Sequence, residues 1–249
     1  MKDQAELLRD EEQEKQAIRQ YFGDTRSGFF VEVGANEPTS PESQTWHLEQ
    51  IGWRGVLIEP IPDLAQSARR LRPRSTVVEC ACVEHDDSRE MTLLIPLQGE
   101  SPVTGHASLR ANIDEHNYRR FRRIAVRTAT LTTVLEQAGA GQIDLLSIDV
   151  EGAELEVLQG LDFARYRPRL ILLEDKHLYL AKHRLLRSRG YKLVRRLNRN
   201  GWYIPVEHPA PAEPLRNRLR LWKRMYLSIW FKKLRYALRH KTFEPFRQI

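Results

Sequence analysis

The sequence predicts an α/β domain built around a mostly parallel, twisted sheet that ends in an antiparallel hairpin. Three apolar runs, at residues 29–33, 55–59 and 143–149, support this prediction. Runs this short and this rich in Val, Ile and Leu are typical of strands that are buried on both faces. Parallel sheets bind ligands at the carboxyl ends of their strands, beside the point where the strand order reverses. We therefore expect functional residues directly after these three runs.

Helices and strands alternate in the first half of the chain. The segment that begins at Pro41 opens with Pro-Glu-Ser, a common helix start, and the helix that begins at Pro62 is ended by Pro73. Residues 1–22 are charged and have a small apolar face. These patterns predict helices at 1–22, 41–52 and 62–71, and strands at 29–33, 55–59, 75–82 and 91–97.

A long polar stretch, residues 98–123, follows these elements and is long enough to form a substrate-facing loop. Its basic cluster consists of Arg119, Arg120, Arg122 and Arg123. Further on, Gly190 stops a helix, and the pair Asn200-Gly201 indicates a hairpin. The remaining patterns predict strands at 124–131, 143–149, 170–174, 191–197 and 202–206, and helices at 132–138, 154–160 and 178–189.

The loop after the first strand favours a nucleoside cofactor that carries no phosphate. Gly34 is followed by Ala35 and Asn36, without the further glycines of the dinucleotide fingerprint, and neighbouring acids would repel a pyrophosphate. Glu59 ends the second strand, where its carboxylate can accept hydrogen bonds from both hydroxyls of a ribose. S-adenosylmethionine (SAM) has a ribose, a positive charge and no phosphate, so it fits this loop. An ordinary strand-to-loop turn is the alternative interpretation of Gly34.

Four segments of the chain resemble the FkbM family of SAM-dependent methyltransferases. They are F-V-E-V-G-A-N at 30–36, G-W-R-G-V-L-I-E-P at 52–60, L-L-S-I-D-V-E-G-A-E-L-E-V-L at 145–158 and L-I-L-L-E-D at 170–175. The resemblance covers residues 21–206 and implies a Rossmann-like class I methyltransferase fold. The chain departs from many members at Pro38 and Thr39, where they have a glycine, and at Ser147, where they have a lysine.

The resemblance also implies which residues hold SAM. The predicted cofactor contacts are Glu32, Gly34, Ala35 and Asn36 on the methionine and ribose side, Glu59 and Pro60 at the ribose, Ala81 and Cys82 at the adenine, and Asp149 near the methyl group. A helix-capping role is the alternative interpretation of both Glu59 and Asp149.

Carboxylates and a histidine at two strand ends are the candidates for chemistry. We hypothesise that Asp149 and His177 form the catalytic pair, with Glu151 acting beside them or holding the loop. A Mg²⁺ ion bound by Asp149, Glu174 and Asp175 is an alternative, because such an ion would orient and acidify an acceptor hydroxyl. Most other histidines are expected to be structural; His106, in the long loop, is the exception.

Composition and cysteine content indicate a cytoplasmic protein. The chain has 249 residues and 41% hydrophobic content, enough to bury a full core. It shows no apolar run of transmembrane length and no signal-like apolar segment in residues 1–20. Cys80 and Cys82 are too close for an easy bridge along one strand and too few for a structural zinc site.

The C-terminal tail is strongly basic. Residues 214–249 contain eleven Lys/Arg and one acid, a net charge of +10, which leaves about −3 for the other residues of a chain whose net charge is +7. Six residues fall at helical spacing and mark an apolar stripe that has basic residues on its flanks: Leu215, Leu219, Trp222, Tyr226, Ile229 and Lys233. A basic helix with such a stripe is typical of an anionic membrane surface. The alternatives are docking on its own domain or in a homo-oligomer; a nucleic-acid partner is disfavoured.

Together, these features predict an N-terminal helix (1–22), a methyltransferase domain (23–206), a Pro-rich linker (207–214) and a basic amphipathic helical tail (215–249). The expected reaction is O-methylation of a sugar hydroxyl in a glycan or glycolipid, at the inner face of the cell membrane. The rivals are a non-catalytic nucleoside-binding adaptor and an RNA methyltransferase that uses the basic tail. An NAD-dependent oxidoreductase is disfavoured by the missing glycines.

Overall fold

The computed structural model describes residues 4–86, 90–109, 118–174 and 180–240. Its helices are α1 (Gln4–Tyr21), α2 (Trp46–Gln50), α3 (Pro62–Leu71), α4 (Leu131–Gln137), α5 (Glu154–Gln159), α6 (Ala181–Ser188), α7 (Leu215–Trp222) and α8 (Ile229–His240). Its strands are β1 (Phe29–Val33), β2 (Arg54–Ile58), β3 (Ser75–Val78), β4 (Ala81–Val83), β5 (Glu90–Gln98), β6 (Ser101–Pro102), β7 (Phe121–Thr130), β8 (Leu145–Ile148), β9 (Leu170–Glu174), β10 (Tyr191–Leu197) and β11 (Asn200–Pro205). The chain forms two compact units, Met1–Arg169 and Leu170–Ile249.

The first unit contains a sheet of parallel strands in the order β8-β1-β2-β3. Strand β1 lies between β2 and β8, so the strand order reverses beside it. The side chains of β1 and β8 are almost entirely buried, as the predicted apolar runs require. The α/β class with a mostly parallel central sheet is therefore confirmed, and the carboxyl ends of β1, β2 and β8 lie at one edge.

The strand predicted at residues 75–82 is instead two strands in two sheets. Strand β3 ends at Val78, whereas Ala81 and Cys82 belong to β4, which pairs in parallel with β7. The change of sheet follows from the partners available: β2 lies beside β3, and β7 lies beside β4. The sequence shows the apolar run but not its change of partner. Cys80 and Cys82 are both buried, free thiols.

The second sheet of this unit has the order β4-β7-β5-β6 and shortens the predicted 98–123 loop at both ends. Within that loop, Ser101 and Pro102 pair with β5, and residues 121–123 belong to β7. Arg122 and Arg123 are therefore strand residues, opposite Ile95 and Leu94. Residues 110–117, eight of the 26 in the predicted loop, lie outside the described residues.

The second unit begins with β9 and contains the antiparallel order β10-β11-β9. The predicted hairpin is confirmed, but its turn lies two residues earlier than the Asn-Gly signal. Leu197 pairs with Asn200, so the turn is formed by Asn198 and Arg199, and Gly201 is a strand residue. Asn198 adopts a left-handed conformation (φ 47°), which asparagine tolerates better than most residues.

Two helical predictions differ from the structure in length or register. The helix expected at 41–52 is reduced to α2, because the chain before it bonds to the side chain of Glu32 instead of forming a helical turn. The tail is helical from Leu215 to His240, but its middle segment, Lys223–Ser228, is a π-helix. None of the helices in the described ranges is both long and apolar enough to span a bilayer.

Candidate functional site

The carboxyl ends of β1 and β8 are in direct contact at Gly34. The Asp149 N–H donates to the Val33 carbonyl over 3.0 Å, which extends the β1–β8 ladder by one residue. Gly34 has φ 84°, and a Cβ added there would lie 1.9 Å from the Asp149 carbonyl oxygen. Only glycine fits this position. The glycine predicted to admit a ligand therefore admits the backbone of Asp149, directly after β8, and holds it beside the β1 loop.

Glu59 shapes the same loop through both of its carboxylate oxygens. One oxygen accepts from the Asn36 N–H over 2.7 Å, and the other accepts from the Ile61 N–H over 2.8 Å. Asn36 is held in the left-handed region, with φ 46°. Burial raises the pKa of Glu59 to about 7, although both hydrogen bonds lower it. Glu59 thus holds the chain on both sides through local backbone bonds, and its contact with a ribose stays a prediction.

The side chain of Asn36 provides an independent sign of a ligand. Its Oδ1 atom is buried and has no hydrogen-bond partner among the described residues. Buried acceptors without a partner are rare in folded proteins, because desolvation costs free energy that a bond would recover. A molecule with N–H or O–H donors, such as the amino group and ribose hydroxyls of SAM, would supply the missing donor. The residues present therefore fit that cofactor.

The loop after β8 is held by backbone and side-chain bonds. Glu151 adopts φ 50°, and its carbonyl oxygen accepts from the Ser108 hydroxyl over 2.9 Å. The Gly152 N–H donates to the buried carboxylate of Glu154 over 2.8 Å. Glu151 therefore fixes the loop through its main chain, which supports the loop-holding role. Asp149, in contrast, presents an exposed side chain.

A short turn of the second sheet covers the β1 loop. Residues Thr104–His106 form a 3₁₀ turn, and a Cβ added to Gly105 would lie 3.4 Å from the Asn36 Nδ2 atom. Next to it, the His106 Nδ1 atom and the Tyr118 hydroxyl are 2.8 Å apart. At Gly105, the described part of the predicted substrate-facing loop therefore lies against the loop after β1, and His106 follows directly in the chain.

Glu32 lies in a buried polar network rather than in the strand-end loop. Its carboxylate accepts from the Thr45 hydroxyl over 2.6 Å, from the Gln44 N–H over 3.0 Å and from the Ser43 hydroxyl. Burial raises the pKa of Glu32, and the nearby Arg72 opposes that shift. These bonds give Glu32 a structural role. Its predicted contact with SAM stays a prediction.

Arg72 is the centre of this network, and nothing in the sequence indicated it. Its side chain is fully buried; it donates to Glu49 over 2.5 Å, to the Pro38 carbonyl over 2.8 Å and to the Thr45 hydroxyl over 2.9 Å. We call Arg72 and its partners Glu32, Thr45 and Glu49 the Arg72 network. An arginine after an amphipathic helix usually points to solvent, so only the tertiary structure could reveal this one.

In the second unit, Glu174 is the last residue of β9 and is buried. Its carbonyl oxygen accepts from the Lys182 ammonium over 3.1 Å, and its carboxylate lies 3.6 Å from the Arg199 guanidinium. The other members predicted here, Asp175 and His177, lie outside the described residues. The catalytic pair and the magnesium site therefore stay predictions.

Comparison with known proteins finds a family match that covers most of the first unit and the start of the second. The family model described as the methyltransferase FkbM domain matches residues 32–193. No curated protein sequence matches the chain.

Several solved structures are similar at low identity. Methyltransferase FkbM from Methylobacillus flagellatus KT is 16% identical (TM-score 0.45), with 72% of this chain and 44% of that chain covered. Precorrin-6y C5,15-methyltransferase from Geobacter metallireducens GS-15 is 11% identical (TM-score 0.42; 76% and 85% covered). The N-terminal domain of human METTL16, in complex with SAH, is 12% identical (TM-score 0.38; 76% and 66% covered). The matched region thus spans less than half of the Methylobacillus protein.

Proposed function

Because the chain belongs to the FkbM family of SAM-dependent methyltransferases, we propose that it methylates a sugar hydroxyl of a glycan or glycolipid. We call the residues after β1, β2 and β8, namely Gly34, Asn36, Glu59 and Asp149, the strand-end site. The methyl-transfer part of the proposal rests on this site, where the buried Asn36 Oδ1 lacks a hydrogen-bond donor among the described residues. The choice of a sugar hydroxyl rests on the resemblance to the family.

In this proposal, Asn36 and Glu59 would accept hydrogen bonds from the amino group and ribose hydroxyls of SAM. Bound SAM supplies an electrophilic methyl group on a sulfonium. Asp149 follows β8 with an exposed carboxylate and a backbone fixed against β1. It would accept the proton of the acceptor hydroxyl as the methyl group moves to that oxygen. The reaction then leaves a methyl ether and S-adenosylhomocysteine (SAH).

The same proposal gives Asp149 two possible partners in catalysis. His177 would form the catalytic pair with it, or a Mg²⁺ ion would orient and acidify the acceptor hydroxyl. Glu174 at the end of β9 would supply a buried carboxylate for the metal, and that carboxylate lies 3.6 Å from the Arg199 guanidinium, a cation with which a metal would compete. Loss of activity with EDTA and recovery with Mg²⁺ would support the metal. Full activity in EDTA would exclude it.

The basic tail would bring the enzyme to a lipid-linked acceptor at an anionic membrane surface, which we propose to be the cytoplasmic face. Nine Lys/Arg and no acid occur within residues 215–240. Because no acid offsets this positive charge, the segment is attracted to anionic lipids. A homo-oligomer held together by the tail is the alternative.

The proposed reaction is tested by incubating the protein with isotopically labelled SAM and cell extracts separated into lipid, polysaccharide and RNA pools. We expect label in the lipid or polysaccharide pool, and its loss in Asp149→Asn. Asp63→Asn, an exposed acid in the first turn of α3, is the matched control and should keep full activity. Label in RNA would favour the RNA rival, and SAH binding without turnover would favour the adaptor.

A further inference from the structure

The tail helix exposes more large apolar side chains than any other described element. Eight of them are 45–73% exposed: Leu215, Leu219, Trp222, Leu227, Trp230, Phe231, Leu234 and Leu238. We call this set the exposed stripe. Exposed apolar surface of this extent marks a binding surface. The stripe predicted from sequence shares Leu215, Leu219 and Trp222 with it, and the side chains of its other members, Tyr226, Ile229 and Lys233, lie outside the described ones.

The π-helical segment Lys223–Ser228 sets the spacing of the exposed stripe between α7 and α8. Leu215, Leu219 and Trp222 are four and three residues apart, so they share one face of α7. Residues in a π-helix bond to the fifth residue on, so a face returns after about five residues rather than about four. Five residues after Trp222 is Leu227, which is exposed, whereas Met225 is 7% exposed. The π-helix thus carries the face forward to Leu227.

Helix α8 continues from that position at ordinary spacing. Trp230, Phe231, Leu234 and Leu238 follow Leu227 at intervals of three or four residues, counted from one neighbour on the face to the next. All eight side chains therefore fall on one side of a rod of 26 residues, about 39 Å long at 1.5 Å per residue. If Lys223–Ser228 were α-helical instead, the exposed face of α8 would be turned by about 100° away from the exposed face of α7.

We propose that this aligned stripe lies in the interface of an anionic membrane, parallel to its surface, and that the π-helical segment is the device that aligns it. The charge of the segment selects this occupant: nine Lys/Arg and no acid accompany the stripe, and Arg216, Arg218, Arg220 and Lys223 are exposed. Identical basic tails would repel one another in a dimer, whereas anionic headgroups neutralise them. Membrane binding of this kind rests on the proposed function and sharpens it.

The test is flotation of the full-length protein with vesicles of phosphatidylglycerol and phosphatidylcholine, or of phosphatidylcholine alone. We expect binding to the anionic vesicles that weakens as salt is raised, since screening shortens the reach of the charges. Phe231→Gln with Leu238→Gln should weaken binding about tenfold or more. Leu8→Gln with Leu71→Gln, which removes two exposed apolar side chains outside the tail, should bind like the wild type.

Insertions test the alignment itself. One alanine inserted after Ser228 turns α8 by about 100°, and four alanines turn it by about 40°. We expect the single insertion to weaken vesicle binding much more than the fourfold insertion. Equal binding by both would overturn the alignment. Equal recovery with neutral and anionic vesicles, or a loss of dimer rather than of vesicle binding in the Gln variants, would overturn the membrane as occupant.

Catalytic failure is separable from failure of membrane binding. Flotation needs no SAM and no acceptor, so it measures vesicle binding by the tail independently of catalysis. Transfer from labelled SAM to an acceptor free of lipid reads the strand-end site alone. If the Gln variants keep the second readout and lose the first, both proposals stand. If the wild type floats but transfers nothing, the membrane inference stands and the proposed reaction does not.

Discussion

Glu32 and Glu59 are two buried carboxylates on neighbouring strands, and the structure gives them different tasks. Glu32 is a residue of β1 and accepts bonds from Ser43, Gln44 and Thr45, close to Arg72. Glu59 directly follows β2 and, among the described residues, accepts from two backbone N–H groups, those of Asn36 and Ile61. In the sequence, both look like cofactor contacts.

The difference shows that position relative to a strand end decides what an acid can do. Inside β1 a carboxylate is surrounded by packed neighbours, so it must be satisfied by protein groups, and the Arg72 network supplies them. After β2 the carboxylate lies at the sheet edge, where a ligand can reach it. Each carboxylate oxygen can accept more than one bond, so the two backbone bonds leave Glu59 able to accept others.

Removing the central cation of the Arg72 network should give the largest effect. Arg72→Met leaves Glu32 and Glu49 buried without their cation, and we expect a loss of about 3–5 kcal/mol in the free energy of unfolding. The control is Arg69→Met, which breaks an exposed pair with Glu79 and should cost at most about 1 kcal/mol. Urea unfolding of both variants measures the contrast. Similar losses would show that the Arg72 network stabilises the fold no more than an exposed ion pair does.

The strand-end site should depend on Gly34 in a different way. Gly34→Ala places a methyl group against the Asp149 carbonyl and adds left-handed strain, so we expect a loss of about 3 kcal/mol or more. Gly139 also has positive φ, 63°, but open space around its Cβ position. Gly139→Ala should therefore cost only the strain, about 1–2 kcal/mol. Thermal or urea unfolding measures the loss of stability in the two variants. Equal losses would mean that the backbone at Gly34 and Asp149 can move apart with little loss of stability.

The two carboxylates can then be compared directly by their effect on SAH binding. Glu59→Gln should weaken SAH affinity about tenfold, because a hydrogen bond to a charged acceptor is worth about 1.5–3 kcal/mol. Glu32→Gln should lower stability and leave the affinity of the folded protein unchanged. Calorimetric titration with SAH is the measurement. Weaker binding in Glu32→Gln, with Glu59→Gln unaffected, would reverse the assignment.

The pH dependence of binding tests Glu59 further. Its pKa is raised from 4.5 to about 7 in the folded protein, so it gains its charge between about pH 6 and pH 8. If ribose hydroxyls donate to the ionised form, SAH should bind about tenfold more tightly at pH 8 than at pH 6. Glu59→Gln should abolish that dependence. A flat profile in the wild type would contradict the ribose contact.

The same pKa fixes the sign for stability. A raised pKa contributes stability that is complete below the unfolded value of 4.5 and is lost as pH rises through about 7. Without ligand, the wild type should lose about 1–2 kcal/mol between about pH 6 and pH 8 through this group. Glu59→Gln should lack that loss, and urea unfolding at the two pH values would show it.

Much of the site was readable from local pattern. Short apolar runs predicted β1, β2, β8 and β9, and the acids and glycine after them predicted the strand-end site. These signals are local, because a buried strand must be apolar along its length and ligands meet parallel sheets at their carboxyl ends. The family match over residues 32–193 agrees with the resemblance carried by these motifs.

Other features depended on partners distant in sequence. Ala81 and Cys82 look like the end of one strand, but their partners in β7, Thr128 and Ala129, lie 47 residues later. Arg72 looks like a solvated helix end until residues from 32 to 49 surround it. The tail's apolar content was visible, while the π-helical segment that sets its register was not.

The sequence by itself determined the α/β class, the position of the glycine loop after the first strand and the basic character of the tail, because each follows from residue type and short-range order. Only the tertiary structure decided that Glu32 serves the Arg72 network, that Gly34 is required by the Asp149 carbonyl, and which tail side chains form one stripe. Those outcomes depend on which atoms meet in space, and such meetings are not encoded in any single stretch of chain.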